Sequence, residues 1–322
     1  MHWFLLLAAL AFPVLAQEPT PEKLIESGHW KQARTLVERR LRDAPNDANA
    51  AFLASQIRNA FGDRSSPQEL AAKAVKLDGA TARYHRQLAE VYGVMAQHAG
   101  MVQQLILARR FRKEVDAAIS LDPRDTQALR DLLEFYLLAP GIAGGNAKKA
   151  DAVAQQIAAI SPCEGFLAQA RIAEYRKDRP QTESMLRKAA EVRPPSYKAQ
   201  MALAQFLLAP EHRDAAAAES AAKVALQIDP GRCGAYSVLA AVYAARADWS
   251  ALDATLSSAM REVPDDYAPY YRAAEALLAT GKDPARAEHY LRIYLGQEPE
   301  GNQPSAAEAR AKLELINKKG GK

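Results

Sequence analysis

Histidine, cysteine and paired carboxylates are the residue types that could carry chemistry in this chain, and they are sparse. His85, Glu90 and His98 could be drawn together as a metal site, but spacings of 5 and 8 do not place all three on one helical face. The chain contains no His-Glu-x-x-His, Cys-x-x-Cys or Gly-x-Ser-x-Gly motif, and its carboxylates are scattered. We therefore expect no metal, no cofactor and no catalytic residues, and a protein that is not an enzyme.

A glycine-rich stretch at 139–146 is the other segment that could bind a ligand. Pro140 is expected to end one helix and Asn146 to cap the next. A phosphate-binding loop would need a preceding strand and a Lys-Ser/Thr ending, and neither is present. The sequence favours a structural connector, with a partner-contacting loop as the alternative.

The first residues have the features of an export signal. An apolar run from Trp3 to Leu15 precedes the small residue Ala16, and a charged, proline-containing stretch follows. We predict a signal peptide over residues 1–16 and delivery to the periplasm, with secretion as an alternative. The run is shorter than the roughly 20 residues that span a bilayer, and no later stretch supplies a transmembrane segment. An uncleaved anchor stays open.

The charge balance does not favour nucleic acid as a partner. The 322 residues carry a formal net charge of +4, from 42 basic and 38 acidic residues. The most basic block, Arg109 to Lys113, is followed at once by Glu114 and Asp116. That pattern is typical of a solvated helix face, whereas a nucleic-acid surface needs a sustained basic stripe.

A recurring turn indicates where the helices that position these residues begin and end. Eight turn residues are spaced by 34, 44, 39, 32, 36, 34 and 35 positions, a period near 34. They are Pro45, Gly79, Pro123, Pro162, Pro194, Pro230, Pro264 and Pro299. Two columns of small residues accompany them, which lets paired helices approach closely. The first column includes Ala89, Ala170, Ala204, Ala240 and Ala274; the second includes Ala74, Ala118, Ala189, Ala225 and Ala259.

This pattern of turn residues and small residues resembles the tetratricopeptide-repeat superfamily over Glu18 to Glu300. The resemblance implies an all-α fold, a right-handed solenoid of about eight helix pairs over 17–304, with a capping helix and basic tail over 305–322. Because one helix pair cannot cover its own apolar face, at least about three stacked units are needed for a stable core.

A narrower similarity covers residues 82–162. The stretch from Tyr92 to Arg110 and the Ala-Pro-Gly-Ile-x-Gly-Gly loop are similar to a group of exported bacterial tetratricopeptide proteins, and more weakly to the repeat domain of eukaryotic regulator of microtubule dynamics proteins. These segments lengthen two units, through insertions at 93–102 and 139–146. No catalytic residue is implied, and partner contact by the insertions is left open.

The same register predicts that the two cysteines are not paired. Cys163 and Cys233 both fall at position 1 of a first helix, in units two apart. Since packed helices lie about 8 to 10 Å apart, the two Cα atoms should exceed the roughly 7 Å that a disulfide tolerates.

In this superfamily the concave groove is lined by the first helix of each pair, which assigns candidate peptide-binding residues. They are Asn49, Arg83, Arg86, Arg130, Arg171, Tyr175 and Lys198. Arginine suits bidentate capture of carboxylate, so we expect a protein or peptide partner, with an acidic or C-terminal peptide as the favoured ligand. Alternatively, Glu90 and Glu134 neutralise these arginines. A self-associating scaffold and an accessory subunit of a cell-envelope enzyme are the other functions that the sequence leaves open, together with the partner's identity and the oligomeric state.

Overall fold

The computed structural model of the chain describes residues 19–210, 212 and 214–320. Within them the chain forms seventeen α-helices, one short 3₁₀ turn and no strand. The predicted signal peptide at 1–16 lies outside the described residues.

The helices alternate along the chain as eight antiparallel pairs and one terminal helix. The first helices of the pairs are α1 (Pro21–Ser27), α3 (Ala48–Ala60), α5 (Ala82–Gln97), α7 (Thr126–Leu138), α9 (Pro162–Tyr175), α11 (Tyr197–Leu208), α13 (Cys233–Arg246) and α15 (Ala268–Thr280). The second helices are α2 (Trp30–Asp43), α4 (Ser66–Leu77), α6 (Met101–Leu121), α8 (Ala147–Ile160), α10 (Arg179–Glu191), α12 (Ala215–Ile228), α14 (Trp249–Glu262) and α16 (Pro284–Tyr294). The terminal helix is α17 (Ala306–Gly320), and the 3₁₀ turn η1 is Gly141–Ala143.

Short polar side chains fix where many of these helices begin. Asp125 accepts hydrogen bonds from the backbone N–H groups of Gln127 and Ala128, at 2.8 and 3.2 Å, at the start of α7. Asn146 accepts from the N–H of Lys148 at the start of α8, which confirms its predicted role as a cap. Such caps satisfy N–H groups that have no partner within the helix.

The apolar core extends along the pairs as neighbouring clusters, and it lies where the repeat register places it. The alanines of both small-residue columns are buried, with Ala89, Ala204, Ala240 and Ala274 fully inaccessible to solvent. Larger apolar side chains fill the space around them in clusters that span α1 to α5, α5 to α9, and α9 to α17. The predicted all-α repeat fold is therefore confirmed.

The two insertions enlarge the third and fourth pairs. The α6 helix runs for 21 residues and packs against α5, α7 and η1. Its Phe111 ring stacks on Phe135 of α7, with centroids 6.0 Å apart. Gly145 has no room for a side chain, because a Cβ atom there would lie 1.8 Å from the carbonyl oxygen of Ala139. The second insertion thus forms a tightly packed turn.

The terminal helix α17 packs on the apolar core of the last pairs. Ala309 is fully buried, and Leu313 and Ile316 pack against the same core. Ser305 and Glu308 exchange hydrogen bonds at its start, where the Ser305 hydroxyl accepts from the Glu308 N–H and the Glu308 carboxylate accepts from the Ser305 N–H. No helix in the part of the chain that the structure describes is long and apolar enough to cross a membrane.

Candidate functional site

The predicted groove residues follow one another along the first helices, and most of them contact a residue one repeat away. Asn49 donates to Glu22 at 2.7 Å, and its amide oxygen accepts from Arg83 at 2.8 Å. The Arg83 guanidinium also lies over the rings of Phe52 and Tyr84, 5.2 and 5.4 Å from their centroids. These polar groups hold α1, α3 and α5 together at the start of the solenoid.

Arg86 lies among three carboxylates. One guanidinium nitrogen is 3.9 Å from a carboxylate oxygen of Asp125. Burial raises the pKa of Asp131 to about 7 and also raises the pKa of Glu90, while the charge of Arg86 opposes both shifts. The positive charge of Arg86 is therefore already shared within the protein.

The remaining predicted cations are paired in the same way. Glu164 contacts both Arg130, at 3.3 Å, and Lys198, at 2.8 Å. Arg171 donates two hydrogen bonds to Glu134, at 2.7 and 3.0 Å. The alternative that Glu134 neutralises a groove arginine matches the Arg171 contact, and Glu164, which was not predicted from the sequence, pairs with two further cations. Tyr175, at the end of α9, is exposed.

A wide cleft of about 900 Å³ lies at the starts of α9, α11 and α13. The end of α1 and the residues 301–303 also line it. Its polar lining includes Gln127, Tyr197, Lys198, Gln205, Arg232 and Asn302, together with the carboxylates of Glu26, Glu164, Asp229 and Asp266. Of the seven groove residues predicted from the sequence, Lys198 lines this cleft.

Arg232 is the cation in the cleft that sequence reasoning missed. Its guanidinium lies 4.1 Å from the centroid of the Tyr197 ring. Burial raises the pKa of Tyr197 to about 12, so the ring stays neutral. Gly234 allows close packing here, since a Cβ atom there would lie 3.1 Å from the Tyr197 hydroxyl. Among the described residues, no carboxylate forms an ion pair with Arg232, in contrast to Arg130 and Arg171.

The cleft is bounded because the two ends of the solenoid meet. His29, just before α2, contacts the Asp265 carboxylate at 2.9 Å through Nδ1 and the Gly231 carbonyl at 3.1 Å through Nε2. Lys31 donates from Nζ to the Asp265 carbonyl at 2.6 Å. Arg34 pairs with Glu298 through two hydrogen bonds. We call the contacts of these residues, with those of Glu300, the clasp.

Apolar contact supports the clasp. Gly301 lies against Trp30 and Ala60, where an added Cβ atom would be 2.9 Å from carbon atoms of both residues. The Asn302 N–H donates to the Ala60 carbonyl at 2.8 Å. The segment after α16 is thereby fixed to α2 and α3 by backbone as well as by side chains.

Two groups of the clasp, His29 and Glu300, have raised pKa values. Both ring nitrogens of His29 face acceptors, and the hydrogen bond to Asp265 raises the pKa of the imidazole. Burial raises the pKa of Glu300 to about 7, against the opposing hydrogen bond and charge of Lys31. Burial also raises the pKa of Asp266, which accepts from Gln303.

The cysteines and the candidate metal residues are separated. Cys163 and Cys233 lie at the starts of α9 and α13, as the register predicts, and both are free thiols. His85 contacts Glu114 at 2.7 Å rather than Glu90. Within the described ranges, no three His, Cys, Asp or Glu side chains come together as a metal site.

Comparisons with known proteins agree with this geometry at the level of the fold. No protein-family model matches the chain, and no curated protein matches it either. The thermophilic tetratricopeptide protein TTC0263 of Thermus thermophilus superposes with a TM-score of 0.52 at 20% identity, over 59% of this chain and 96% of that one. Yeast Tom70 superposes with a TM-score of 0.57 at 12% identity, over 97% of this chain and 67% of that one. The chain has the tetratricopeptide-repeat fold.

Proposed function

We propose that this protein is an interaction module that holds an extended segment of a partner protein in the cleft. The observation that carries the proposal is Arg232, a cation without a carboxylate partner among the described residues, held over Tyr197 in a cleft of about 900 Å³. A cleft with an oriented guanidinium suits a carboxylate ligand. The role is one of binding rather than catalysis.

The amides of the cleft support recognition of an extended backbone. The side chains of Gln127 and Gln205 line the cleft, and no hydrogen bond within the described residues takes up their amide groups. Each amide offers a donor and an acceptor, which a peptide backbone requires in any sequence. The proposed ligand is therefore an extended acidic peptide, with backbone bound by the amides and a carboxylate bound by Arg232.

The arginines predicted from the sequence have a different part in this proposal. Arg130 and Arg171 donate their hydrogen bonds to Glu164 and Glu134, so a ligand would have to compete with a carboxylate already in place. Removing one partner of such a pair leaves the other unpaired. These arginines are better placed to hold the repeats in register than to capture the ligand.

The test is a binding measurement with labelled peptides of equal length that are acidic, neutral or basic. The acidic peptides are expected to bind best, and Arg232→Glu is expected to weaken them by about tenfold or more, since a charged hydrogen bond is replaced by repulsion. Arg261→Glu is the matched control, because Arg261 is exposed on α14 and contacts the adjacent Glu262. Equal binding of the three peptide classes, or unchanged affinity in Arg232→Glu, would rule the proposal out.

We also propose that the protein works outside the cytoplasm, on the basis of residues 1–16. The protein isolated from its native cells is expected in the envelope fraction with Gln17 as its first residue, which N-terminal sequencing can establish. Light scattering of that protein addresses the alternative functions. A monomer agrees with a binding module, whereas a discrete oligomer would favour the self-associating scaffold.

A further inference from the structure

The two insertions create an exposed apolar surface that the repeat fold does not use. Five aliphatic side chains on α6, α7 and η1 are exposed: Met101 at 80%, Val102 at 74%, Ile142 at 76%, Leu138 at 63% and Ile106 at 39%. We call these five residues the apolar rim. Large aliphatic side chains exposed together usually mark a contact surface.

The elements that carry the rim contact one another. The η1 turn packs against α6, and α7 ends at Leu138 just before it. The start of α8 belongs to the same region, since Arg112 of α6 and Lys149 of α8 both lie over the ring of Tyr136, 5.0 and 5.7 Å from its centroid. The start of α8 is therefore a neighbour of α6, which carries three of the five rim residues.

Unpaired positive charge accompanies the rim. On α6, Val102, Ile106, Arg109 and Lys113 follow one another at helical spacing and are all exposed. Lys148 and Lys149 are exposed at the start of α8. Within the described residues, none of Arg109, Lys113, Lys148 and Lys149 forms an ion pair.

The carboxylates of the same two helices are occupied elsewhere. Glu114 contacts His85, Asp116 contacts Arg112, and Asp151 contacts Arg176. The four cations beside the rim are consequently left with uncompensated charge. Exposed aliphatic side chains next to uncompensated positive charge are complementary to a partner surface that is both apolar and anionic.

We propose that the apolar rim and its four cations form a docking surface for an anionic lipid membrane. The aliphatic side chains would enter the boundary between headgroups and acyl chains, and the cations would contact the lipid phosphates. One feature favours lipid over a protein partner. Three of the four cations are lysines, and Lys is depleted in protein interfaces.

The docking surface and the cleft share one element, α7, whose first turn contributes Gln127 to the cleft and whose last residue, Leu138, belongs to the rim. The rim lies on α6, α7 and η1, in the third and fourth pairs, whereas the cleft is bounded chiefly by α1, α9, α11 and α13. No residue of the rim lines the cleft. Lipid docking is therefore independent of peptide binding and would stand if the proposed function failed.

The test is sedimentation of the protein that begins at Gln17 with vesicles of phosphatidylcholine, with and without phosphatidylglycerol. Binding is expected to the vesicles that contain phosphatidylglycerol and to weaken as salt rises. Residues 1–16 are left out because their apolar run would bind vesicles independently of the rim. The double variant Lys148→Glu, Lys149→Glu is expected to bind at least about tenfold more weakly, because each basic residue near an anionic surface contributes.

A second pair of variants separates apolar insertion from charge. Val102→Asp with Ile142→Asp is expected to abolish binding, whereas Lys188→Glu with Arg261→Glu, on exposed positions of α10 and α14, is expected to leave it unchanged. All of these positions are exposed, so circular dichroism should show unaltered helicity. Vesicle binding that is the same in every variant would overturn the proposal, as would equal binding to both vesicle types. Loss of protein capture in the rim variant without any vesicle binding would overturn it in favour of a protein partner.

Discussion

The carboxylate of Glu300 accepts a hydrogen bond from the backbone N–H of Lys31 at 2.9 Å, across 269 positions of the chain. Lys31 is in the first turn of α2, and His29, the residue before that helix, makes no side-chain hydrogen bond to its N–H groups. A residue from the far end of the solenoid thus supplies the negative group that the start of α2 requires. The first helix pair is completed by the last one.

Stability is expected to fall as the pH rises from 4.5 to about 7 and through the raised pKa of His29, because both titrating groups of the clasp bind protons more tightly in the folded than in the unfolded state. The pKa of His29 is raised, so its contribution is complete below the ordinary value of 6.5 and is lost as the pH passes its folded value. The pKa of Glu300 rises from 4.5 to about 7 on folding. Its ionisation therefore destabilises the folded protein as the pH rises through that range. A shift of this size corresponds to a loss of roughly 3 kcal/mol in the free energy of unfolding once Glu300 is ionised.

The measurement is the thermal midpoint of unfolding as a function of pH, for the wild type and two variants. Glu300→Gln is expected to flatten the dependence, since it removes a titrating group that faces Lys31, Asp265 and Asp266. Glu298→Gln is the matched control, because the pKa of Glu298 is lowered by Arg34 and it does not titrate in that window. Parallel curves for the wild type and Glu300→Gln would contradict this assignment.

Asp265→Ala is expected to loosen the clasp and to destabilise the protein by about 2 kcal/mol, because a charged hydrogen bond is lost in a partly buried site. Asp265 accepts from both His29 and Gln32. Hydrogen exchange should quicken in α1 and α2, and small-angle scattering should show a larger radius of gyration. Asp253→Ala, which removes an exposed carboxylate on α14, should change neither the hydrogen exchange of α1 and α2 nor the radius of gyration. Unchanged exchange in α2 would show that the ends stay joined without this contact.

The repeat fold was predictable from the sequence because its determinants are local. A turn residue about every 34 positions and an alanine column specify each helix pair, and Ala204 and Ala240 are buried where the register places them. The caps at Asp125 and Asn146 likewise depend on residues a few positions away. Such signals survive in a single sequence.

The clasp and the free cation of the cleft were not predictable in the same way. His29 and Asp265 are 236 positions apart, and their contact depends on the accumulated curvature of the whole solenoid. No local sequence signal indicates that Arg232 lacks an ion pair, because its contacts depend on the side chains that neighbouring repeats place beside it. Glu134 was named from the sequence as a possible partner of the groove arginines, whereas the pairing of Arg130 with Glu164 depends on a contact between repeats that was not predicted.

Enlarging a small-residue position is expected to destabilise the protein. Ala240 is fully buried at the crossing of α13 with its neighbours, so Ala240→Leu is expected to cost about 1 to 3 kcal/mol through overpacking. Ala216→Leu is the matched control, because Ala216 is exposed on α12 and substitutions at such sites usually stay within about 0.5 kcal/mol. Urea denaturation measures both. Equal urea midpoints for the wild type and Ala240→Leu would show that α13 and its neighbouring helices can move apart without loss of stability.

The two thiols are expected to react at different rates with an alkylating reagent in the native protein. Cys233 is buried against the Asp266 carbonyl, 3.7 Å from its sulfur, and burial raises the pKa of its thiol well above the ordinary value. Cys163 is partly exposed, and burial raises the pKa of its thiol while a hydrogen bond with Ser196 opposes the shift. Because the thiolate is the reactive form, Cys163 should be labelled slowly and Cys233 only after unfolding.

Mass spectrometry of the labelled peptides distinguishes the two sites, and serine variants of each cysteine assign the signals. Denatured protein is the reference, because both thiols are then equally accessible and should be labelled at similar rates. Native labelling of Cys233 at the rate of Cys163 would mean that the start of α13 opens readily. A disulfide between the two cysteines would contradict the placement of α9 and α13 two repeats apart, since both thiols are free in this packing.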